Sequence, residues 1–260
     1  MATVTRRLIN WAAAFEDGAI IRAAFFGLLT ATGVILYLDY SDLSASRPAA
    51  TATPEMTPIL PAFDPSIPDG KPGPAVTTPA EQLRQPLSVA LVSGGTLALT
   101  GTIDPGSADR VAAEIAAHGE YIKTVALDSP GGAVAEALAI GRLIRDKGYE
   151  TLVAAGALCA SSCPLVFAGG RERVATAQSA IGVHQIYAAA AAGSVSSRLQ
   201  AAGNAMSEAQ TLTAQVSRYL SGMGIADEVW LRALETPPDK LTYFSADELK
   251  RLNLATRLAD

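Results

Sequence analysis

Apolar and polar positions change rhythm along the chain, and each change marks a new element. From Ala19 to Tyr40 the stretch AIIRAAFFGLLTATGVILYLDY is apolar apart from Arg22 and Asp39, close to the roughly 20 residues that carry a helix across a bilayer. From Ser41 to Pro86 proline, alanine, threonine and serine dominate, and no helical or alternating period survives. That stretch predicts an extended tether with too little apolar surface to offset the entropy of ordering. Beyond it, LSVALVSGGTLALTGTI reads as two strands around the turn dipeptide Gly94-Gly95. Ser107 to His118 places Val111 and Ile115 at helical spacing, and IKTVALDSPGG is a short β-branched strand that stops at a Gly-Gly turn.

The alternation continues with a helix over AVAEALAIGRLIRDKG, a strand in YETLVAAG, and a helix opening at SSCPLVFAGG, where Pro164 is tolerated in the first turn. Two short strands follow in RERVATAQSAIGVHQ, then a long helix from Ser194 to Gly222. A last helix begins at Ser245, whose SADE carries the capping-box order. Strand, helix, strand, helix is the rhythm of an α/β domain with a parallel sheet and right-handed crossovers. The expected organisation is a cytoplasmic segment at 1–18, a transmembrane anchor at 19–40, a tether at 41–86 and a folded α/β domain at 87–260.

Charge sets the expected sidedness. Arg6, Arg7 and Arg22 precede the core of the apolar run and Asp39 and Asp42 follow it, so the positive-inside tendency keeps the N-terminus cytoplasmic and sends the domain outside. A cleaved signal peptide is the competing reading, although the apolar run is long for one. The formal net charge of −5, without a basic cluster in the C-terminal part, gives no support to a nucleic-acid partner. Two cysteines and two histidines in 260 residues exclude a zinc ribbon or a cysteine-rich scaffold. No metal or other cofactor is expected.

The remaining chemistry concentrates in three short motifs. A serine hydroxyl is a poor nucleophile until a base within hydrogen-bond reach takes its proton. His184, in GVHQ, is the histidine near the end of a predicted core strand, whereas His118 falls at a helix C-terminus, where a cation suits the dipole. His184 is therefore the general-base candidate, and a histidine satisfied within the core is the alternative. Ser161 and Ser162, in CASSC at a strand-to-helix turn, are both candidate nucleophiles.

Taken in order, DSPGG, CASSC and GVHQ resemble the Clp peptidase branch of the Clp/crotonase superfamily, and more closely periplasmic Clp-peptidase-like proteins of bacteria with a Cys-x-Ser-x-Cys segment. The likeness covers about Gly101 to Leu254. It implies a β-α-β spiral fold and a serine peptidase. Its register places Ser161 on the nucleophile, gives the N–H groups of Ser162 and Gly131 to an oxyanion hole, and puts Leu241 where the family carries an aspartate. Asp239 lies nearby but displaced. The triad therefore becomes Ser161, His184 and Asp239, or a Ser-His dyad with another orienting group.

The expected function is a membrane-anchored extracytoplasmic serine hydrolase acting on peptide or protein substrates. The alternative is a non-catalytic domain that keeps the fold for interaction or assembly. Homo-oligomerisation follows from analogy alone. Cys159 and Cys163, four apart across Ser161, can bridge in an oxidising compartment or pack as small buried thiols, and both readings stay open.

Overall fold

The computed structural model describes residues 17–45, 74–186 and 195–259. Residues 1–16 of the expected cytoplasmic segment and 46–73 of the expected tether lie outside them. The chain divides into two compact units, Met1–Glu55 and Met56–Asp260. In the first, α1 (Asp17–Ala45) is a single helix whose stretch Ile21–Ser41 is long and apolar enough to cross a membrane, with none of it buried.

The second unit is a mixed α/β fold. It begins with α2 (Ala80–Leu83), β1 (Ser88–Val92), β2 (Thr96–Thr100), α3 (Ser107–His118) and β3 (Thr124–Asp128). Next come α4 (Val134–Lys147), β4 (Glu150–Val153), β5 (Leu158–Ala160), α5 (Cys163–Ala168), β6 (Arg173–Thr176) and β7 (Ala180–Val183). The chain closes with α6 (Val195–Gly222), α7 (Glu228–Glu235), β8 (Thr242–Tyr243), α8 (Ala246–Arg251) and β9 (Arg257–Ala259).

Six strands form one sheet in the order β1-β2-β3-β4-β6-β9, parallel except for the β1–β2 hairpin. A second sheet has the order β5-β7-β8, with β8 antiparallel. The chain visits the sheets alternately, β4 then β5 and β6 then β7, so both sheets share one core. Alternation along β2 and β3 buries Leu97, Leu99, Val125 and Leu127, whereas β6 and β7 are buried at every position. That contrast follows from layer position, since a strand covered on both faces has no polar side.

Several local expectations meet their physical cause. Gly94 and Gly95 both take positive φ at the hairpin turn. Gly148 closes α4 in the left-handed conformation, its N–H donating to Arg145 and Ile144 carbonyls. Ser245 caps α8 reciprocally, its Oγ accepting from the Glu248 N–H while the Glu248 carboxylate accepts from the Ser245 N–H.

The tether boundary at 86 is corrected. Leu83 is 1% exposed, the Thr77 N–H donates to Gly156 O, and the Thr102 N–H donates to Gln85 O, so the packed unit reaches back at least to Thr77. A lone leucine among prolines has no period, and its docking is tertiary. The short elements α2, β5, α7, β8 and β9 were not expected either, and β5, β8 and β9 are likewise defined by partners distant in sequence. α7 has only eight residues, and β9 gains its identity solely from parallel pairing with β6.

Two contacts fix the layers. Arg173 is buried, and its guanidinium donates to the carbonyls of Gly170, Asn253 and Leu254, holding β6 to the approach of β9. Burial lowers its pKa to about 10, so it remains a cation at neutral pH. Helices α4 and α5 approach at glycines: a Cβ on Gly169 would lie 2.2 Å from Gly141 O, and one on Gly141 would lie 2.7 Å from Leu165 O. Gly169 has a helical φ of −64°, so Gly169→Ala acts by steric overlap alone. Overpacking of this kind costs about 1–3 kcal/mol. Denaturant unfolding of Gly169→Ala should show a loss of that size, and a wild-type midpoint would contradict the packing described here.

Candidate active site

The site is assembled from three chain reversals. The first follows β3. The Ser129 N–H donates to Leu158 O at 2.7 Å, and its carbonyl accepts from the Ala160 N–H at 3.0 Å, so the end of β3 runs beside β5. Pro130 is followed by two glycines with φ of +95° and +147°, a region closed to most side chains. Space imposes the same choice. A Cβ on Gly131 would lie 2.7 Å from Ser161 Cβ and 2.8 Å from the Ser162 nitrogen, and one on Gly132 would lie 2.2 Å from Ile103 O.

The second reversal joins β5 to α5. Two residues separate strand from helix, and Ser161 takes φ +62°, one of two non-glycine positive values among the described residues. Its N–H donates to Gly182 O at 3.0 Å. Its hydroxyl has no hydrogen-bond partner among the described residues, and the residue lines a cavity. Ser162 then enters helical geometry, with Cys163 and Pro164 opening α5. The two cysteines are joined in a disulfide with Cα atoms 5.1 Å apart, and both are fully buried. The bridge closes around Ser161 and limits how far the turn can relax.

The third reversal supplies the histidine. β7 runs parallel to β5 with Ala160 opposite Gly182. His184 follows Gly182 by two positions, as Ser162 follows Ala160, so the register brings His184 level with the serine turn. His184 lines the same cavity as Ser161. No hydrogen bond joins the Ser161 hydroxyl to His184 among the described residues.

His184 is 8% exposed, with Nδ1 2.9 Å from Pro238 O. A carbonyl oxygen only accepts, so Nδ1 carries the proton and Nε2 keeps its lone pair. Burial pulls the imidazole pKa below its ordinary 6.5, and the Pro238 carbonyl offsets part of that shift. The ring is consequently neutral at pH 7.

No family model and no curated protein matches this chain. Of the residues expected at the site, Ser161, Ser162 and His184 line one cavity, Gly131 lies against Ser161, and Cys159 and Cys163 are bridged. Asp239 is exposed, and the partner of His184 Nδ1 is the carbonyl of the preceding residue. Leu241, where the resemblance would put an aspartate, packs half-buried against the cluster of Leu83, Leu158, Ala160 and Ala180.

The donor expected from Gly131 also needs correction. Its N–H donates to Ser129 Oγ at 3.1 Å, closing a serine turn. The next peptide differs. Gly131 O accepts from the Ile103 N–H, and in a trans peptide the following N–H points the opposite way. The Gly132 N–H therefore points away from Ile103, and it has no partner among the described residues. The Ser162 N–H likewise has none. The Pro238 carbonyl had no signal in the sequence, because a backbone carbonyl carries no residue signature, whereas the Gly132 amide lies one residue beyond the donor that the Gly-Gly turn suggested.

The cavity has a volume of about 30 Å³, and Leu165, Val183, Leu220, Val229 and Ala233 give it an apolar wall. Trp230 also lines it, and the enclosed indole N–H has no acceptor among the described residues. The left-handed conformation at Ser161 costs an L-residue roughly 1–2 kcal/mol. Ser161→Gly should therefore be about 1 kcal/mol more stable than Ser161→Ala in denaturant unfolding of the oxidised protein. Equal stability of the two variants would contradict a strained turn.

Proposed function

We propose that the packed unit is a serine hydrolase of the Clp peptidase type, acting outside the cytoplasm on peptide substrates. The observation that carries this reading is the shared cavity: Ser161, on a left-handed strand-to-helix turn, and His184, with Nε2 unprotonated, both line it. The alternating passage of the chain between two sheets supports the resemblance to the Clp/crotonase spiral. A disulfide and an apolar N-terminal helix support an anchored extracytoplasmic protein. Peptide substrate, homo-oligomeric assembly and membrane attachment belong to the same proposal.

In this mechanism Ser161 Oγ attacks the substrate carbonyl carbon while its proton moves to His184 Nε2. The Pro238 carbonyl holds Nδ1–H and so keeps the base oriented. The developing oxyanion is met by the N–H groups of Ser162 and Gly132, fixed dipoles that need no reorganisation. His184 returns the proton to the leaving amine, an acyl-Ser161 ester remains, and water activated by His184 releases the acid. The apolar lining beside Ser161 favours an uncharged group on the acyl side of the substrate. Because the orienting group is neutral, the imidazolium formed in each half-reaction lacks the stabilisation a carboxylate gives.

The test is hydrolysis of short peptide esters by the full chain in detergent. Ser161→Ala and His184→Ala should each lower kcat/KM by about a thousandfold or more. Ser162→Ala should retain most activity, since its N–H remains, and Asp239→Asn should match wild type. The acid limb of kcat/KM should fall below pH 6.5, because burial disfavours the imidazolium. Activity unaffected by Ser161→Ala would overturn the assignment, and no hydrolysis of any ester would favour the non-catalytic assembly reading.

A further inference from the structure

The segment just before β1 is bonded to the strand that presents Ser161. The Thr77 N–H and Oγ1 both donate to Gly156 O, at 2.9 and 3.2 Å. Gly156 has φ +73°, and a Cβ there would lie 2.6 Å from Thr77 Oγ1, so the contact leaves no room for a side chain. One residue on, Thr78 Oγ1 donates to Asp128 Oδ2 at 2.5 Å, while Asp128 Oδ1 accepts from the Leu158 N–H at 2.9 Å. Asp128 therefore links Thr78 to the first residue of β5. Leu83 completes the contact, packing with Leu158, Ala160 and Ala180 in a small cluster apart from the main core.

β5 is only three residues long and ends directly at Ser161. So short a strand has little intrinsic order. Its position comes from β7 on one edge, Ser129 on the other, and the Thr78–Asp128 link with Leu83. We infer that Thr78, Asp128 and Leu83 are positioning residues that fix β5 and thereby the left-handed turn at Ser161. The consequence for hydrolysis rests on Ser161 being the nucleophile, whereas the positional claim does not.

Hydrogen exchange of the full chain in detergent, with the disulfide intact, separates the two. Thr78→Val keeps the shape and removes the hydroxyl, and Thr78→Ser keeps the hydroxyl. In Thr78→Val the amides of Leu158, Ala160 and Ser161 should exchange about fivefold to tenfold faster, as expected for loss of one linking hydrogen bond. The amides of Val125 and Leu127 should be unchanged, and Thr78→Ser should restore the protection. Hydrolysis by Thr78→Val should show a lower kcat with KM retained, again rescued in Thr78→Ser. Exchange in Thr78→Val at the wild-type rate, or acceleration spread equally over β3 and β5, would overturn the inference. If exchange responds as stated but no form of the protein hydrolyses esters, the positioning role stands and the hydrolase reading fails.

Discussion

Ser161 holds a left-handed backbone because the chain must pass from β5 into α5 within two residues, and the surrounding groups leave no cheaper path. The Cys159–Cys163 bridge spans the turn, the Ser161 N–H is tied to Gly182 O, and Gly131 fills the space behind the serine. Each constraint alone is small beside the stability of a domain. Together they over-determine a conformation that would otherwise relax, which is the condition under which backbone strain persists. A turn of this kind frees the Ser162 N–H at the start of α5 and leaves the Ser161 hydroxyl at the cavity wall.

The electrostatics are economical. His184 is desolvated, neutral and oriented by a carbonyl, so its base strength at Nε2 is set by burial rather than by an ion pair. Leu241, where the resemblance would put a carboxylate, instead packs half-buried against the apolar cluster of Leu83, Leu158, Ala160 and Ala180 and adds to its apolar surface.

Legibility in the sequence followed the range of the interaction. The β1–β2 hairpin, the bounds of α3 and the cap at Ser245 were readable because their determinants are glycines, apolar spacing and a Ser-x-x-Glu order within a few residues. The serine turn and His184 were readable as residue types in chain order, and the β5–β7 register supplies their proximity. Leu83, β8 and β9 were not, because each is defined by a partner distant in sequence. Asp239 was singled out for its side chain, yet the group facing His184 is the Pro238 carbonyl, which any residue could supply.

In the proposed function Ser161 is a nucleophile made reactive by His184. Peptide mapping of the full chain after treatment with a fluorophosphonate, which phosphonylates activated serines, tests it directly. The structure predicts one adduct, on Ser161 within the disulfide-closed segment, formed in wild type and lost in His184→Ala. An adduct on Ser162, or equal labelling with and without His184, would contradict it.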